Sequence, residues 1–344
     1  MPADSSVRLR AAIVAAVGEL RAADLRAAVD ELMASYRSGA RPASPVLSTP
    51  VKVGAYAAYR MPATFGAVGA ALRQLRARSP GWLPISHVDF GAGTGAAAWA
   101  VADVWPTVRR MTLLEQARPA RELGARIMAG ADSLVLRSAP WRHWQLGDGG
   151  EPAADLATVA YVLGELDEAQ RTQIIDLAAA RARTVVVVEA GTPAGYRRIL
   201  AARARLIGAG LTVLAPCPHQ LQCPLAGRND WCHFAVRVDR SPLHRRLKDG
   251  ERSFEDEKFS WVAATHAPDP PDQPGDRVIR RPQRRKGLVS LALCTVAGGA
   301  EERVISKRQG ATYRAATDVG WGDLWPPAWQ SQGRPPANWA GRPN

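Results

Sequence analysis

Hydrophobic residues near the N-terminus of the chain recur at the spacing of an amphipathic helix. Residues 7–36 follow this pattern, with Ala, Glu and Arg between the apolar positions. A second helical stretch is predicted at residues 55–78, interrupted near Pro62 because proline lacks the N–H that a helix interior uses. Residues 1–80 are therefore predicted to form a helical N-terminal part.

From residue 81 to about 215, short apolar runs alternate with amphipathic stretches. Strands are predicted at Ser86–Phe90 and Met111–Glu115, each followed by a helix. The run Thr184–Glu189 is apolar on both faces, as expected of a parallel strand covered by helices on both sides. This alternation predicts an α/β fold with a doubly wound, Rossmann-like sheet.

The pattern changes again after the predicted sheet. Residues 216–325 contain short strand-like runs separated by polar and proline-rich segments, which predicts a cysteine-rich, partly β C-terminal part. Residues 326–344 contain several prolines and are predicted to be an irregular tail.

The charge balance indicates a polyanionic partner. The 344 residues include 45 Lys and Arg against 32 Asp and Glu, a formal net charge of +13, which favours nucleic acid. The alternative is an arginine-rich composition on a solvated surface. Because the chain has neither a membrane-spanning apolar run nor the order of a signal peptide, we expect no membrane association and a cytoplasmic location. We also expect a monomer.

A glycine-rich loop follows the first predicted strand, where Gly91, Gly93 and Gly95 would let a nucleotide approach the backbone. Glu115, at the end of the second strand, is placed to bind two ribose hydroxyls. Asp89 completes the Asp-x-Gly-x-Gly-x-Gly pattern of class I methyltransferases, which favours S-adenosylmethionine over a dinucleotide. The dinucleotide fingerprint also fits, however, and a glycine turn without a ligand is the structural alternative.

The chain gives a weaker indication of catalysis. At the predicted end of the fourth strand there is neither the Asp/Asn-Pro-Pro-aromatic run of exocyclic amine methyltransferases nor a nucleophilic cysteine. Glu165 is the candidate substrate contact or general base. An acidic residue that caps the next helix is the alternative interpretation of Glu165.

The four cysteines and a group of basic residues supply two further candidate sites. Thiolates suit iron-sulfur clusters or zinc, and the wide spacing without a Cys-x-x-Cys pair favours a cluster, with zinc as the alternative because His219 and His233 lie nearby. Buried free thiols are the structural alternative. The metal candidates are Cys217, Cys223, Cys232 and Cys294. The RNA-binding candidates are Arg280, Arg281, Arg284, Arg285, Lys286, Lys307 and Arg308.

Seven segments, in order along the chain, resemble a methyltransferase-like family of mitochondrial small ribosomal subunit assembly and its bacterial relatives. They are residues 55–64, the loop 89–95, Cys217-Pro218-His219 with Cys223-Pro224, residues 231–234, residues 253–260, Leu293-Cys294-Thr295 and Trp321-Gly322-Asp323.

This resemblance implies a class I methyltransferase fold that binds S-adenosylmethionine, association with small-subunit ribosomal RNA, and a [4Fe-4S] cluster on the four cysteines. Two functions are compatible with it: a ribosomal RNA methyltransferase, or a non-catalytic assembly factor that binds RNA and S-adenosylmethionine without turnover. An NAD-dependent oxidoreductase is the third hypothesis from the residues alone.

Overall fold

The computed structural model describes residues 5–38, 47–248, 253–266 and 275–327. The tail predicted at residues 326–344 therefore lies outside the described residues from position 328 onward. Within the described ranges, no helix combines the length and the apolar character that a bilayer crossing requires.

Four helices precede the first strand: α1 (Ser5–Val17), α2 (Ala22–Ser38), α3 (Pro50–Tyr59) and α4 (Met61–Arg78). Helix α3 starts where the sequence supplies a cap, because the Thr49 hydroxyl accepts a hydrogen bond from the Lys52 N–H at 3.3 Å and Pro50 occupies the first helical turn. Helix α4 is buried along most of its length and packs on the helix that follows the glycine loop.

The main sheet has eight strands: β1 (Ser86–Phe90), β2 (Arg110–Glu115), β3 (Trp141–His143), β4 (Ala154–Ala160), β5 (Ala182–Ala190), β6 (Thr212–Ala215), β7 (Phe234–Asp239) and β8 (Phe254–Thr265). Their order is β3-β2-β1-β4-β5-β8-β6, with β7 paired to β8. Strands β1 to β5 pair in parallel, whereas β8 runs antiparallel to β5, β6 and β7.

The connecting helices are α5 (Ala96–Val104), α6 (Arg118–Ala129), α7 (Leu134–Arg137), α8 (Glu168–Arg181), α9 (Pro193–Gly208) and α10 (Pro242–Lys248). One face of the sheet is covered by α1, α4, α5 and α6, and the other by α8 and α9. Residues Val185 to Val188 of β5 are fully buried because helices cover both faces, as their continuous apolar run predicts. The predicted doubly wound α/β fold is confirmed.

The position of β8 distinguishes this sheet from a dinucleotide-binding domain. A dinucleotide-binding Rossmann sheet is parallel throughout its usual order. Here the antiparallel β8 lies between β5 and β6, which is the arrangement of the class I methyltransferase fold. Because β7 and β8 come after residue 216, the main sheet contains strands from both sides of the boundary that the sequence predicts at 215/216.

A second, five-stranded sheet forms the C-terminal part: β9 (Asp276–Val278), β10 (Gln283–Arg285), β11 (Leu288–Cys294), β12 (Ala300–Ser306) and β13 (Leu324–Trp325). Helix α11 (Ala311–Asp318) packs on it and closes a small core around Leu291 and Trp325. The two sheets meet at the cysteine residues.

Candidate functional site

The glycine loop between β1 and α5 adopts the conformation that its composition predicts. Gly91, Gly93 and Gly95 have φ values of +67°, +55° and +89°, a region that residues with a Cβ rarely occupy. A Cβ on Gly91 would lie 2.6 Å from Val162, whereas the nearest atom to a Cβ on Gly93 is a Leu47 methyl at 3.8 Å. Gly91 therefore permits tight packing, whereas the space beside Gly93 is less crowded.

The carboxylate of Glu115 is bonded to the glycine loop. Its Oε2 accepts the Gly93 N–H at 2.8 Å and its Oε1 accepts the Ala117 N–H at 2.7 Å. Burial raises the pKa of Glu115, and these backbone hydrogen bonds oppose the shift. Each carboxylate oxygen has a second lone pair, so Glu115 can hold the loop and still accept hydrogen bonds from two ribose hydroxyls.

Asp89 is buried directly before the loop. Its Oδ1 accepts a 2.6 Å hydrogen bond from the Thr158 hydroxyl, and its Oδ2 is buried with no hydrogen-bond partner among the described residues. Burial raises the pKa of Asp89 to about 7, with a smaller contribution from the Glu115 charge. A buried carboxylate with an unused oxygen can bind an ammonium group, such as the amino group of S-adenosylmethionine.

At the carboxyl end of β4 the chain forms a polar network that was not singled out as a site from the sequence. Tyr161 has a φ of +60°, and its hydroxyl donates a 3.0 Å hydrogen bond to Glu257 Oε1. Arg60 donates to both carboxylate oxygens of Glu257, at 2.8 and 3.2 Å. Non-glycine residues with positive φ are uncommon and cluster at functional sites. One indication of this network was present in the sequence: Arg60 and Glu257 both lie in segments that resemble the family.

Glu165 lies in the loop after β4, within the electrostatic influence of the Glu115 carboxylate. Although the residue is exposed overall, neighbouring protein atoms partly bury its carboxyl group. This burial, together with the charges of Glu115 and Glu189, raises the pKa of Glu165 to about 7. The alternative role as a helix cap belongs to Asp167, whose carboxylate accepts the Gln170 N–H at 2.9 Å.

The four cysteines come from separate segments and line one pocket. Cys217 follows β6, Cys223 lies in the next loop, Cys232 precedes β7, and Cys294 ends β11. The empty space among the lining residues is about 310 Å³, including its open mouth. As placed in the described residues, no three His, Cys, Asp or Glu side chains are close enough together to hold a metal ion.

The thiols lie mainly among apolar and aromatic side chains, and Arg277 also lines their pocket. The Tyr196 hydroxyl lies 3.2 Å from Cys223 Sγ, and His219 Nε2 lies 3.4 Å from Cys294 Sγ. Burial and the neighbouring thiols raise the pKa of Cys294 to about 12. His219 is thus beside the thiols, whereas the ring of His233 stacks on Trp231 at 5.2 Å and its Nδ1 lies 3.0 Å from the Trp231 carbonyl oxygen.

The seven predicted RNA-binding residues fall into two groups. Arg280 pairs with Asp230, Arg281 pairs with Asp256, and Arg284 donates to two backbone carbonyls. The other four are exposed, and their side chains have no hydrogen bond or ion pair to any described residue: Arg285, Lys286, Lys307 and Arg308. We call these four residues the basic tip.

Strand pairing brings the basic tip together. β10 and β11 are joined by Lys286 and Gly287, and the Lys307 N–H donates to the Gly287 carbonyl at 2.8 Å. Four positive charges therefore lie around one end of the second sheet, without neutralising partners in the part of the chain that the structure describes.

Comparison with known proteins identifies the family. The sequence profile of the Mitochondrial small ribosomal subunit Rsm22 family matches residues 50–326. The chain belongs to the Rsm22 family. The glycine loop, all four cysteines and the basic tip lie within the matched residues.

Two relatives and one structure illustrate the range of similarity. The chain is 28% identical over 287 residues to the human "Ribosome assembly protein METTL17, mitochondrial", covering 79% of this chain and 62% of the relative. It is 25% identical over 182 residues to the Schizosaccharomyces pombe "Rsm22-cox11 tandem protein 2, mitochondrial", covering 41% of this chain and 24% of the relative. The chain thus spans less than two thirds of the length of either relative.

Among solved structures, magnesium protoporphyrin IX methyltransferase from Synechocystis PCC 6803 with bound S-adenosylhomocysteine superposes with a TM-score of 0.39 at 12% identity. This match covers 60% of this chain and 84% of that chain.

Proposed function

We propose that this Rsm22-family protein binds S-adenosylmethionine at the glycine loop and acts on small-subunit ribosomal RNA during ribosome assembly. The observation that carries the proposal is the hydrogen bond between Gly93 and Glu115 beside the unpartnered Asp89 Oδ2. These groups can bind the ribose and the ammonium group of the methyl donor from opposite ends of the loop.

Each residue of the donor site has a separate task in this proposal. Glu115 accepts hydrogen bonds from the ribose hydroxyls, Asp89 pairs with the ammonium group, and Gly93 leaves room for the nucleoside. When bound, S-adenosylmethionine supplies a methyl group on a positively charged sulfur. Glu165, with its pKa of about 7, is the candidate acceptor for a proton released by the methylated atom.

The basic tip supports binding to ribosomal RNA. Exposed, unpaired Arg and Lys side chains gain most from phosphate contact because they give up no intramolecular partner. The matched family is described as mitochondrial small ribosomal subunit, and the human relative as a ribosome assembly protein. We therefore propose small-subunit ribosomal RNA as the partner of the basic tip.

We also propose that the four cysteines hold a [4Fe-4S] cluster. A zinc ion requires each sulfur ligand within about 2.3 Å of one point. In a [4Fe-4S] cluster each thiolate binds a different iron atom, so the four sulfurs stand around a larger object. Four thiols that border one pocket without converging on a single-ion site fit the cluster better than zinc.

A second candidate function is that of a non-catalytic assembly factor. At the end of β4, the Tyr161 hydroxyl already donates a hydrogen bond to Glu257. All four cysteines line the pocket between the two sheets. No thiol is therefore left to serve as a nucleophile beside the glycine loop. In this alternative, the donor site and the cluster stabilise a fold whose basic tip holds RNA.

Donor binding is tested by calorimetric titration of S-adenosylmethionine. We expect Gly93→Asp to abolish binding because its side chain would occupy the open space beside the loop. The matched control is Gly149→Asp, since Gly149 also has a positive φ, +74°, but is exposed and lies outside the glycine loop. Binding of nicotinamide dinucleotide in place of S-adenosylmethionine would refute the donor assignment.

Catalysis is tested separately by transfer of a tritiated methyl group to immature small ribosomal subunits. Incorporation that is lost in Gly93→Asp would establish a methyltransferase. No incorporation by a protein that binds both donor and RNA would establish the non-catalytic alternative. For the metal site, anaerobically purified protein should show iron-sulfur charge-transfer absorbance, and a colourless protein containing zinc would overturn the cluster assignment.

A further inference from the structure

Two buried arginines lie beside the four cysteines. Arg203, on α9, is 6% exposed, and Arg277, on β9, is 2% exposed. Arg277 lines the cysteine pocket itself and is the cross-strand partner of Cys294 in the pairing of β9 with β11. Guanidinium groups are almost never buried unless a partner compensates their charge.

Apart from a contact between Arg203 and the Cys217 thiol, the hydrogen bonds of both guanidiniums end on neutral carbonyl groups. Arg277 donates from Nε to the Pro216 carbonyl at 3.0 Å and from Nη1 to the Gly322 carbonyl at 2.7 Å. Arg203 donates from Nη2 to the carbonyls of His219 and Leu221, at 2.9 and 2.8 Å. All but the Gly322 carbonyl lie between β6 and Cys223, in the segment that carries Cys217.

No carboxylate within the described residues forms an ion pair with either arginine. Asp323 has a favourable electrostatic influence on Arg277, but its Oδ2 accepts the Gly320 N–H instead. The other charged group that acts on Arg277, Arg78, is itself positive. An ion that is buried without a counter-ion strongly destabilises the fold. The missing negative charge must therefore come from another source.

We propose that Arg203 and Arg277 are the counter-ions of the metal centre held by Cys217, Cys223, Cys232 and Cys294. This inference rests on the proposed cluster. Four thiolates around an oxidised [4Fe-4S] core leave two negative charges in excess, and two guanidiniums balance them. The two guanidiniums thus make the pocket positive, which favours an anionic cluster. Four neutral thiols would leave the charges of both arginines without a counter-ion.

This pairing sets the direction of two measurable effects. Loss of one guanidinium removes compensation only from the loaded protein, so the cluster becomes easier to lose. One-electron reduction adds a negative charge to the cluster, so a nearby positive charge favours the reduced state and raises the midpoint potential. Removing either arginine should therefore shift the midpoint potential to more negative values.

The experiment compares full-length Arg277→Met and Arg203→Met with wild type after anaerobic reconstitution with iron and sulfide. We expect cluster loss to a chelator to become about 10-fold faster or more, and the midpoint potential to fall. Arg277→Lys, which keeps the charge, should retain most of the wild-type potential. Arg205→Met is the matched control, because Arg205 lies on α9 like Arg203 but is exposed, pairs with Asp176 and lies outside the pocket.

A purely structural role for the arginines predicts a different result. In that case each Met variant would lower the melting temperature of the apo and cluster-loaded proteins equally, with an unchanged midpoint potential, and this outcome would overturn the inference. If Arg277→Met does not fold, Arg203→Met carries the same test independently. If the wild-type protein takes up no cluster, the proposed metal site itself fails.

Discussion

The backbone N–H of Gly93 donates a 2.8 Å hydrogen bond to the carboxylate of Glu115. The two residues are 22 positions apart, and this contact joins the glycine loop to the end of β2. It fixes the loop in its left-handed conformation and places the carboxylate beside the open space at Gly93. The donor site is thus formed before any ligand binds, and the contact can be tested directly.

Glu115→Gln should weaken binding of S-adenosylmethionine by about 10-fold or more. The substituted amide can accept only one of the two backbone N–H groups, and its own NH₂ would face the other donor, a mismatch that costs about 1–3 kcal/mol in a buried site. Isothermal titration calorimetry measures the change. Glu122→Gln is the control, because Glu122 is exposed and pairs with Arg118 at the surface. Equal affinity in Glu115→Gln and wild type would show that this carboxylate does not contact the ligand.

Gly91→Ala should destabilise the fold more than the same change at Gly149. Both positions have positive φ, +67° and +74°, so both variants pay about 1 kcal/mol or more of backbone strain. Only at Gly91 would the new methyl also lie 2.6 Å from Val162, a stiff β-branched side chain. The clash adds about 1–3 kcal/mol. Urea denaturation of both variants gives the difference, and equal losses would mean that the loop relaxes around the methyl.

The stability of Asp89→Asn relative to wild type should depend on pH. The pKa of Asp89 is 3.8 when unperturbed and about 7 in the folded protein, so the protonated form favours folding. The stability that wild type gains from this group is complete below pH 3.8 and is lost as the pH rises towards 7. Asparagine does not titrate. The free energy of unfolding of the variant should therefore rise relative to that of wild type by up to about 4 kcal/mol across this pH interval.

Thermal denaturation at a series of pH values measures this difference between Asp89→Asn and wild type. A constant difference between pH 4 and 8 would contradict the raised pKa. Titration with S-adenosylmethionine at the same pH values is a second measurement, because an ammonium group beside Asp89 favours the charged carboxylate. Ligand affinity for wild type should therefore increase as the pH rises through 7, and this increase should be absent in Asp89→Asn.

Replacing the four residues of the basic tip with Gln should weaken RNA binding and its dependence on salt. Each phosphate contact contributes roughly 0.7–0.9 to the slope of log affinity against log salt concentration, so the slope should fall by about 3. Filter binding with 16S ribosomal RNA measures it. The control replaces four other exposed arginines with Gln: Arg21, Arg126, Arg142 and Arg183. An equal effect in the control would reveal binding by net charge alone.

The sequence was sufficient to predict elements whose determinants are local. Strand Ser86–Phe90 is found where its apolar run predicts it, and the loop after it has positive φ at all three glycines. The Arg60–Glu257 pair could not be predicted, because its partners are 197 residues apart and meet only through the position of β8 in the sheet. Arg281 was predicted to bind RNA, but its pairing with Asp256 depends on how the second sheet lies against β8.

Substitution of Glu165 by Gln distinguishes the two proposed functions. Burial and the nearby carboxylates of Glu115 and Glu189 raise the pKa of Glu165 to about 7, so the group can accept a proton only above that pH. If the protein transfers methyl groups with Glu165 as the base, the rate should rise with pH through 7, and Glu165→Gln should lower it by about 100-fold without changing donor affinity. Glu168→Gln, an exposed change in the first turn of α8, should leave the rate unchanged. A wild-type rate in Glu165→Gln would exclude this carboxylate as the base, and absence of transfer in both proteins would favour an assembly factor in which Glu165 contacts RNA or donor without chemistry.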